Sequence, residues 1–130
     1  MATIQSNLQA VNTRIAAACA AFGRDRADVR LVAVSKTWPA EAVREAAAAG
    51  QLDFGENYLQ EALDKIAALS SLPEKLSWHF IGPLQSNKTR AVAEHFDWVH
   101  SVDREKIAER LNAQRPEGAP AVYKKAEISR

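Results

Sequence analysis

Lys36 ends an apolar run, Val32-Ala33-Val34-Ser35-Lys36-Thr37-Trp38-Pro39. Val32, Val34 and Lys36 are two residues apart, so on a strand all three leave the same face. If the valines face a core, the lysine amine emerges at that core's rim. Poor solvation at the rim disfavours the ammonium form. A neutral amine is the species that condenses with an aldehyde to give a Schiff base. Most lysines, however, are simply solvated, so a lysine reaching out of a strand end into water is the competing reading.

Two further segments place chemistry-bearing residues at the ends of apolar runs. In Gly55-Glu56-Asn57, Glu56 is either a surface carboxylate or an acceptor that orients Lys36, and Asn57 either caps the next helix or touches a ligand. The longer segment is His79-Phe80-Ile81-Gly82-Pro83-Leu84-Gln85-Ser86-Asn87-Lys88. A lone strand histidine such as His79 is more often packed and hydrogen-bonded than catalytic. Gly82 permits a close backbone approach. Ser86, Asn87 and Lys88 stand at a helix start that can take an anion, although capping alone explains Ser86. His100-Ser101-Val102-Asp103 offers only capping chemistry.

Other chemistries lack support. His79, His95 and His100 do not have metal-ligand spacing, and Cys19 is the only cysteine. There is no Gly-x-Gly-x-x-Gly or phosphate-binding loop pattern. With 17 basic and 16 acidic residues the net charge is +1, and no basic stripe with interleaved aromatics suggests nucleic-acid binding.

The elements that must position these residues are legible from periodicity. Ile4, Leu8, Val11, Ile15, Cys19 and Phe22 recur at helical steps, and Gly23 is a natural stop. A strand is expected at about Arg30 to Ser35, then a helix opened by Pro39 that carries Val43, Ala46 and Ala47 and stops at Gly50. Leu52 to Glu56 reads as a second strand. A third helix follows, with Leu59, Leu63, Ile66 and Leu69 on one face and Asn57 and Gln60 at capping-box spacing. Leu76 to Gly82 and Asp97 to Ser101 read as strands, separated by a helix capped by Ser86. Asp103 is placed to cap a helix with Ile107, Ala108 and Leu111 buried. Pro120-Ala121-Val122-Tyr123 reads as the start of a fifth strand.

Strands alternating with helices imply a parallel sheet, whose ligands sit at the carboxyl ends of the strands. The 130 residues and 47% hydrophobic content suit one domain, residues 1–130, with ample core. No run is apolar enough to span a bilayer and no signal pattern opens the chain, so a cytoplasmic protein without membrane association is expected.

Three segments, Ala33-Val34-Ser35-Lys36-Thr37, Phe54-Gly55-Glu56-Asn57-Tyr58 and Trp78 through Lys88, resemble the pyridoxal phosphate homeostasis proteins in order and spacing. The similarity extends over about residues 4 to 114. It implies a (β/α)8 TIM-barrel type of the alanine racemase N-terminal-domain class, here its first four to five βα units after an N-terminal helix. It also implies that Lys36 carries pyridoxal 5′-phosphate as a Schiff base, that Asn57 lies in the pocket, and that His79, Ile81 and Gly82 lie near the cofactor ring. Members of that family are regarded as holders or carriers of the cofactor rather than enzymes.

Such a barrel takes about 250 residues. The serine- and glycine-rich segments that grip the phosphate in the family have no counterpart here, and Lys124 and Lys125 interrupt the expected fifth strand. The resemblance therefore implies an N-terminal portion, weaker cofactor retention, and self-association through uncovered strand edges. Two alternatives stand beside this reading. One is a pyridoxal-dependent racemase, for which Tyr58 and Tyr123 are the only tyrosines. The other is an open flavodoxin-like sheet, distinguished by its strand order.

Overall fold

The computed structural model describes residues 2–121. Four strands, β1 (Ala33–Val34), β2 (Asp53–Glu56), β3 (Ser77–Phe80) and β4 (Trp98–Val99), form one sheet. Every neighbouring pair is parallel, and the order is β1-β2-β3-β4. Helix α1 (Ile4–Ala21) precedes the sheet; α2 (Ala40–Ala48), α3 (Leu59–Ala68) and α4 (Thr89–His95) connect the strands, and α5 (Glu105–Gln114) follows β4. A flavodoxin-like sheet reverses its strand order at a switch point. The unreversed order found here is that of consecutive staves in a (β/α)8 barrel wall.

Alternation along the strands divides the sheet into two faces. Phe54, Trp78, Phe80 and Val99 pack against Val43 and Ala46 of α2, Ala62 of α3, Val92 of α4, and Ile107 and Leu111 of α5. Aromatic contacts tie this layer together, with Phe80 edge-on to Phe96 at 5.3 Å between centroids. The alternating side chains, Val34, His79 and Trp98, with Gly55 between them in register, belong to the second face. Val34 there is 52% exposed.

The helices begin and end close to where periodicity places them, with some differences; α4 begins at Thr89, with Lys88 rather than Ser86 at its N-cap and no side-chain cap. In α1 only Cys19 is buried, whereas Val11 and Phe22 are exposed. Ile4 and Leu8, at the amino end, are its residues that reach the core, so the remaining stripe runs past it. Tyr58, not Asn57, occupies the N-cap of α3 and no side chain caps that helix; Gln60 pairs with Asp64 instead. Of the apolar face expected on α3, Leu69 is buried and Leu59 and Ile66 are partly buried against the core, but the helix also buries Ala62 and Lys65. At α5 the N-cap is Arg104, and Asp103 pairs with its guanidinium rather than with the helix amides. Pro120 and Ala121 are not in a strand, and the rest of the expected fifth strand lies outside the described residues. No helix among the described residues is long and apolar enough to cross a membrane.

Candidate functional site

Register fixes the level of each candidate on the second face. Val34 stands beside Gly55, Gly55 beside His79, and His79 beside Trp98. The ladder runs beyond the strands: Ser35 N donates to Gly55 O at 2.9 Å, Ile81 N to Glu56 O at 2.9 Å and His100 N to Phe80 O at 3.0 Å. The next row up therefore brings Lys36, Asn57, Ile81 and His100 to the carboxyl end of the sheet. Of the expected site residues, Lys36, Asn57 and Ile81 share this row, Gly82 follows it, and His79 lies one row below.

Lys36 is solvent-exposed. The expected half-hidden rim is absent because Val34, on the same face below it, is itself open to water. The amine is thus accessible rather than desolvated by neighbours. Its position is nevertheless constrained, because Thr37 adopts φ 67°, the left-handed region. A β-branched residue there stores about 1–3 kcal/mol of strain, which the surroundings must hold.

Asn57 and Gly82 meet at the ends of β2 and β3. A Cβ on Gly82 would lie 2.5 Å from Asn57 Cβ and 2.6 Å from Asn57 O, so only glycine fits without displacement. The Gly82 carbonyl in turn accepts from Ser101 Oγ at 2.5 Å. The close approach anticipated at Gly82 is thus made by the end of the neighbouring strand, at Asn57. Among the described residues nothing pairs with the buried Asn57 Oδ1, an uncommon state for a buried amide oxygen. Ile81 lies against Gly55, whose added Cβ would meet Ile81 Cδ1 at 3.1 Å and Val32 Cγ1 at 3.2 Å.

His79 is 2% exposed and uses both ring nitrogens. Nδ1 lies 2.9 Å from His100 Nε2, and Nε2 lies 2.9 Å from Asp53 Oδ1. The ring stacks on Trp98, and Arg30 reaches over Trp98 and to 3.7 Å from Asp53. Partial desolvation, and His79 second, hold His100 below its ordinary value of 6.5. A new polar contact from His79 would break one of these bonds, so the residue braces the site from beneath.

Behind β1 lies a second polar cluster. Glu56 is fully buried, and its Oε2 accepts from Ser35 Oγ at 2.5 Å and from Lys65 Nζ at 2.8 Å. Lys65 also donates to the Ser35 carbonyl at 2.6 Å and to Glu61 Oε1 at 2.8 Å. Glu61 Oε1 accepts from Thr37 N at 2.5 Å. Glu56 is therefore neither a surface carboxylate nor a partner of the Lys36 amine; it anchors the strand end from the helix side. Lys65 has no motif around it, and its helical position marks it only as a lysine on an amphipathic helix.

The Ser86-Asn87-Lys88 segment forms a 3-10 turn before α4. The Ser86 carbonyl accepts from Thr89 Oγ1 and from Arg110 Nε, both at 3.0 Å. This ties α4 to α5, and the site's polar inventory is Lys36, Asn57 and the histidine pair. Such a face offers an accessible amine for carbonyl condensation, an amide oxygen awaiting a donor, and an apolar side chain beside them.

No family model matches the chain. It is 67% identical over 120 residues to the pyridoxal phosphate homeostasis protein of Pseudomonas aeruginosa, covering 92% of this chain and 51% of that one. The protein of the same name from Escherichia coli is 55% identical over 121 residues, covering 92% and 52%. Among solved structures, PipY of Synechococcus elongatus with PLP bound aligns at a TM-score of 0.74 and 47% identity, over 86% of this chain and 48% of that one. The chain spans about half the length of the curated relatives it matches. Identity at this level over nearly the whole chain, with a matching parallel fold, makes the chain similar to about half of a pyridoxal phosphate homeostasis protein.

Proposed function

We propose that this chain holds pyridoxal 5′-phosphate through Lys36 and serves cytoplasmic pyridoxal phosphate homeostasis without a dedicated catalytic reaction. The observation that carries the proposal is the pairing, in one row at the sheet's carboxyl end, of the exposed Lys36 amine with the buried, unpartnered Asn57 Oδ1. An orphaned amide oxygen beside an accessible amine suits a ligand that brings both a carbonyl carbon and a hydrogen-bond donor. PipY, solved with PLP bound, aligns over 86% of this chain.

When bound, the cofactor supplies an electrophilic aldehyde and an electron-withdrawing aromatic ring. The remaining work belongs to the chain. Lys36 provides the nitrogen that attaches it. Asn57 offers an acceptor to a polar ring substituent, Ile81 an apolar surface, and Gly82 the close packing that holds Asn57 in place. His79 supports the floor through Asp53 and His100. Among the described residues, the non-catalytic reading draws on how two proton-active groups are placed. Both His79 nitrogens are engaged, and Tyr58 is 51% exposed at the start of α3.

Borohydride reduction in the presence of pyridoxal phosphate, followed by peptide mass mapping, tests the proposal. The modification is expected on Lys36 and absent in Lys36→Ala. Modification spread evenly over the surface lysines, unchanged by that substitution, would overturn it. Racemisation of added amino acids would overturn the non-catalytic part.

A further inference from the structure

The Lys36 backbone is gripped on both sides by one helix. The residue before it, Ser35, has its carbonyl held by Lys65 Nζ at 2.6 Å, and the residue after it, Thr37, has its amide held by Glu61 Oε1 at 2.5 Å. Glu61 and Lys65 are one turn apart on α3 and are joined at 2.8 Å. The Lys65 side chain is buried and has a second carboxylate, Glu56, at 2.8 Å, so its reach is fixed.

We propose that Glu61 and Lys65 are positioning residues for Lys36. They form a clamp on the β1–α2 turn that holds Thr37 left-handed and so directs the Lys36 amine onto the cofactor face of the sheet. The inference rests on the cofactor reading above and assigns it a part on the opposite side of the sheet.

The physical case is one of competing conformations. Thr37 has a φ of 67°, a region that L-residues other than Asn and Asp seldom occupy. Its hydroxyl satisfies a local bond to the Lys36 carbonyl, which does not by itself select the sign of φ. The charge-assisted bond from the Thr37 amide to Glu61 supplies a partner that a relaxed turn would lose. Hydrogen bonding to Lys65 first, and to Thr37 after it, outweighs desolvation and holds the Glu61 carboxyl below its ordinary 4.5, so the acceptor stays ionised at neutral pH. Without the clamp the turn relaxes, and Lys36 loses its fixed relation to Asn57 and Ile81.

Glu61 is the residue to alter, because it is 32% exposed and its removal leaves the buried Glu56–Lys65 pair intact. Glu61→Ala and Glu61→Gln are compared with the unsubstituted 130-residue chain by two measurements. The first, hydrogen exchange of the Thr37 amide, needs no cofactor. Exchange is expected to quicken at least tenfold in Glu61→Ala and to be largely restored in Glu61→Gln, whose amide oxygen still accepts. The second is the fraction of reductively trapped pyridoxal phosphate found on Lys36, expected to fall severalfold in Glu61→Ala and to recover in Glu61→Gln.

Unchanged Thr37 exchange in Glu61→Ala would overturn the clamp, whatever the labelling. Faster exchange with unchanged Lys36 labelling would overturn its positioning role. If the unsubstituted chain fails to label Lys36 while the exchange results hold, the cofactor reading falls and takes the role toward the cofactor with it, leaving the clamp as a property of the turn alone.

Discussion

Asn57 and Gly82 touch backbone to backbone: a methyl group on Gly82 would sit 2.5 Å from Asn57 Cβ and 2.8 Å from its Cα. Neither obstacle is the free end of a flexible side chain, so relief requires the ends of β2 and β3 to part. Gly82→Ala is expected to cost about 1–3 kcal/mol, the range for forced overpacking. It also moves the Asn57 amide oxygen away from the row it shares with Lys36. Urea denaturation checks the first effect, and the yield of pyridoxal phosphate trapped on Lys36 checks the second. A fully stable variant with unchanged trapping would show that the strand ends are not rigid.

The buried pair Glu56–Lys65 makes a sharper stability prediction. Their side chains are 0% and 6% exposed, so removing one partner strands the other away from water. Lys65→Met is expected to destabilise the chain by about 3–5 kcal/mol. Adding Glu56→Gln to that variant removes the stranded charge and should recover part of the loss. A double variant no more stable than the single one would mean that the Ser35 carbonyl bond, not the charge, dominates.

How far the sequence exposes this architecture follows from which forces are local. The strand cores were legible because Val32 to Val34 and Trp78 to Ile81 are apolar runs bounded by turn residues, and Gly23 and Gly50 end their helices with φ values of 67° and 98°. The row formed by Lys36, Asn57 and Ile81 follows once the strands are parallel and adjacent. The clamp does not follow. Helical period alone puts Leu59, Leu63 and Ile66 inward, and Leu59 and Ile66 do pack against the core, but Lys65 is buried as well and meets Glu56 from a neighbouring strand. That pairing is tertiary, and nothing local distinguishes Lys65 from a solvated lysine. Asn57 shows the reverse case: capping spacing was present, but the strand end kept the residue and left Tyr58 at the helix start.

Two groups give the stability a pH dependence with one sign. His100, beside His79 and above the Asp53, Trp98 and Arg30 cluster, is lowered from 6.5, and Glu61 is lowered from 4.5. A depressed folded value means that the unfolded chain binds the proton more readily. Both contributions are therefore complete above the ordinary values and are lost as pH falls. Stability should begin to decline below about pH 6.5 through His100 and decline further below 4.5 through Glu61. Urea midpoints between pH 8 and pH 4 test this, with His100→Gln expected to flatten the upper part of the profile. An upper limb unchanged in that variant would place the dependence elsewhere.

Among the described residues β1 and β4 each pair on one side only, which leaves two rows of backbone donors and acceptors unmatched. Beside the β1 edge, Val34 is 52% and Trp38 59% exposed. Free parallel edges next to exposed apolar side chains favour pairing with another chain, and a second copy of this chain carries a complementary edge of the same direction. This 130-residue chain is therefore expected to sediment as dimers or larger species at micromolar concentration. Val34→Lys places a charge on the exposed face of the β1 edge, the device by which natural edges resist such pairing, and should shift the distribution toward monomer. Sedimentation of the unsubstituted chain as a compact monomer would mean that these edges are satisfied within a single copy.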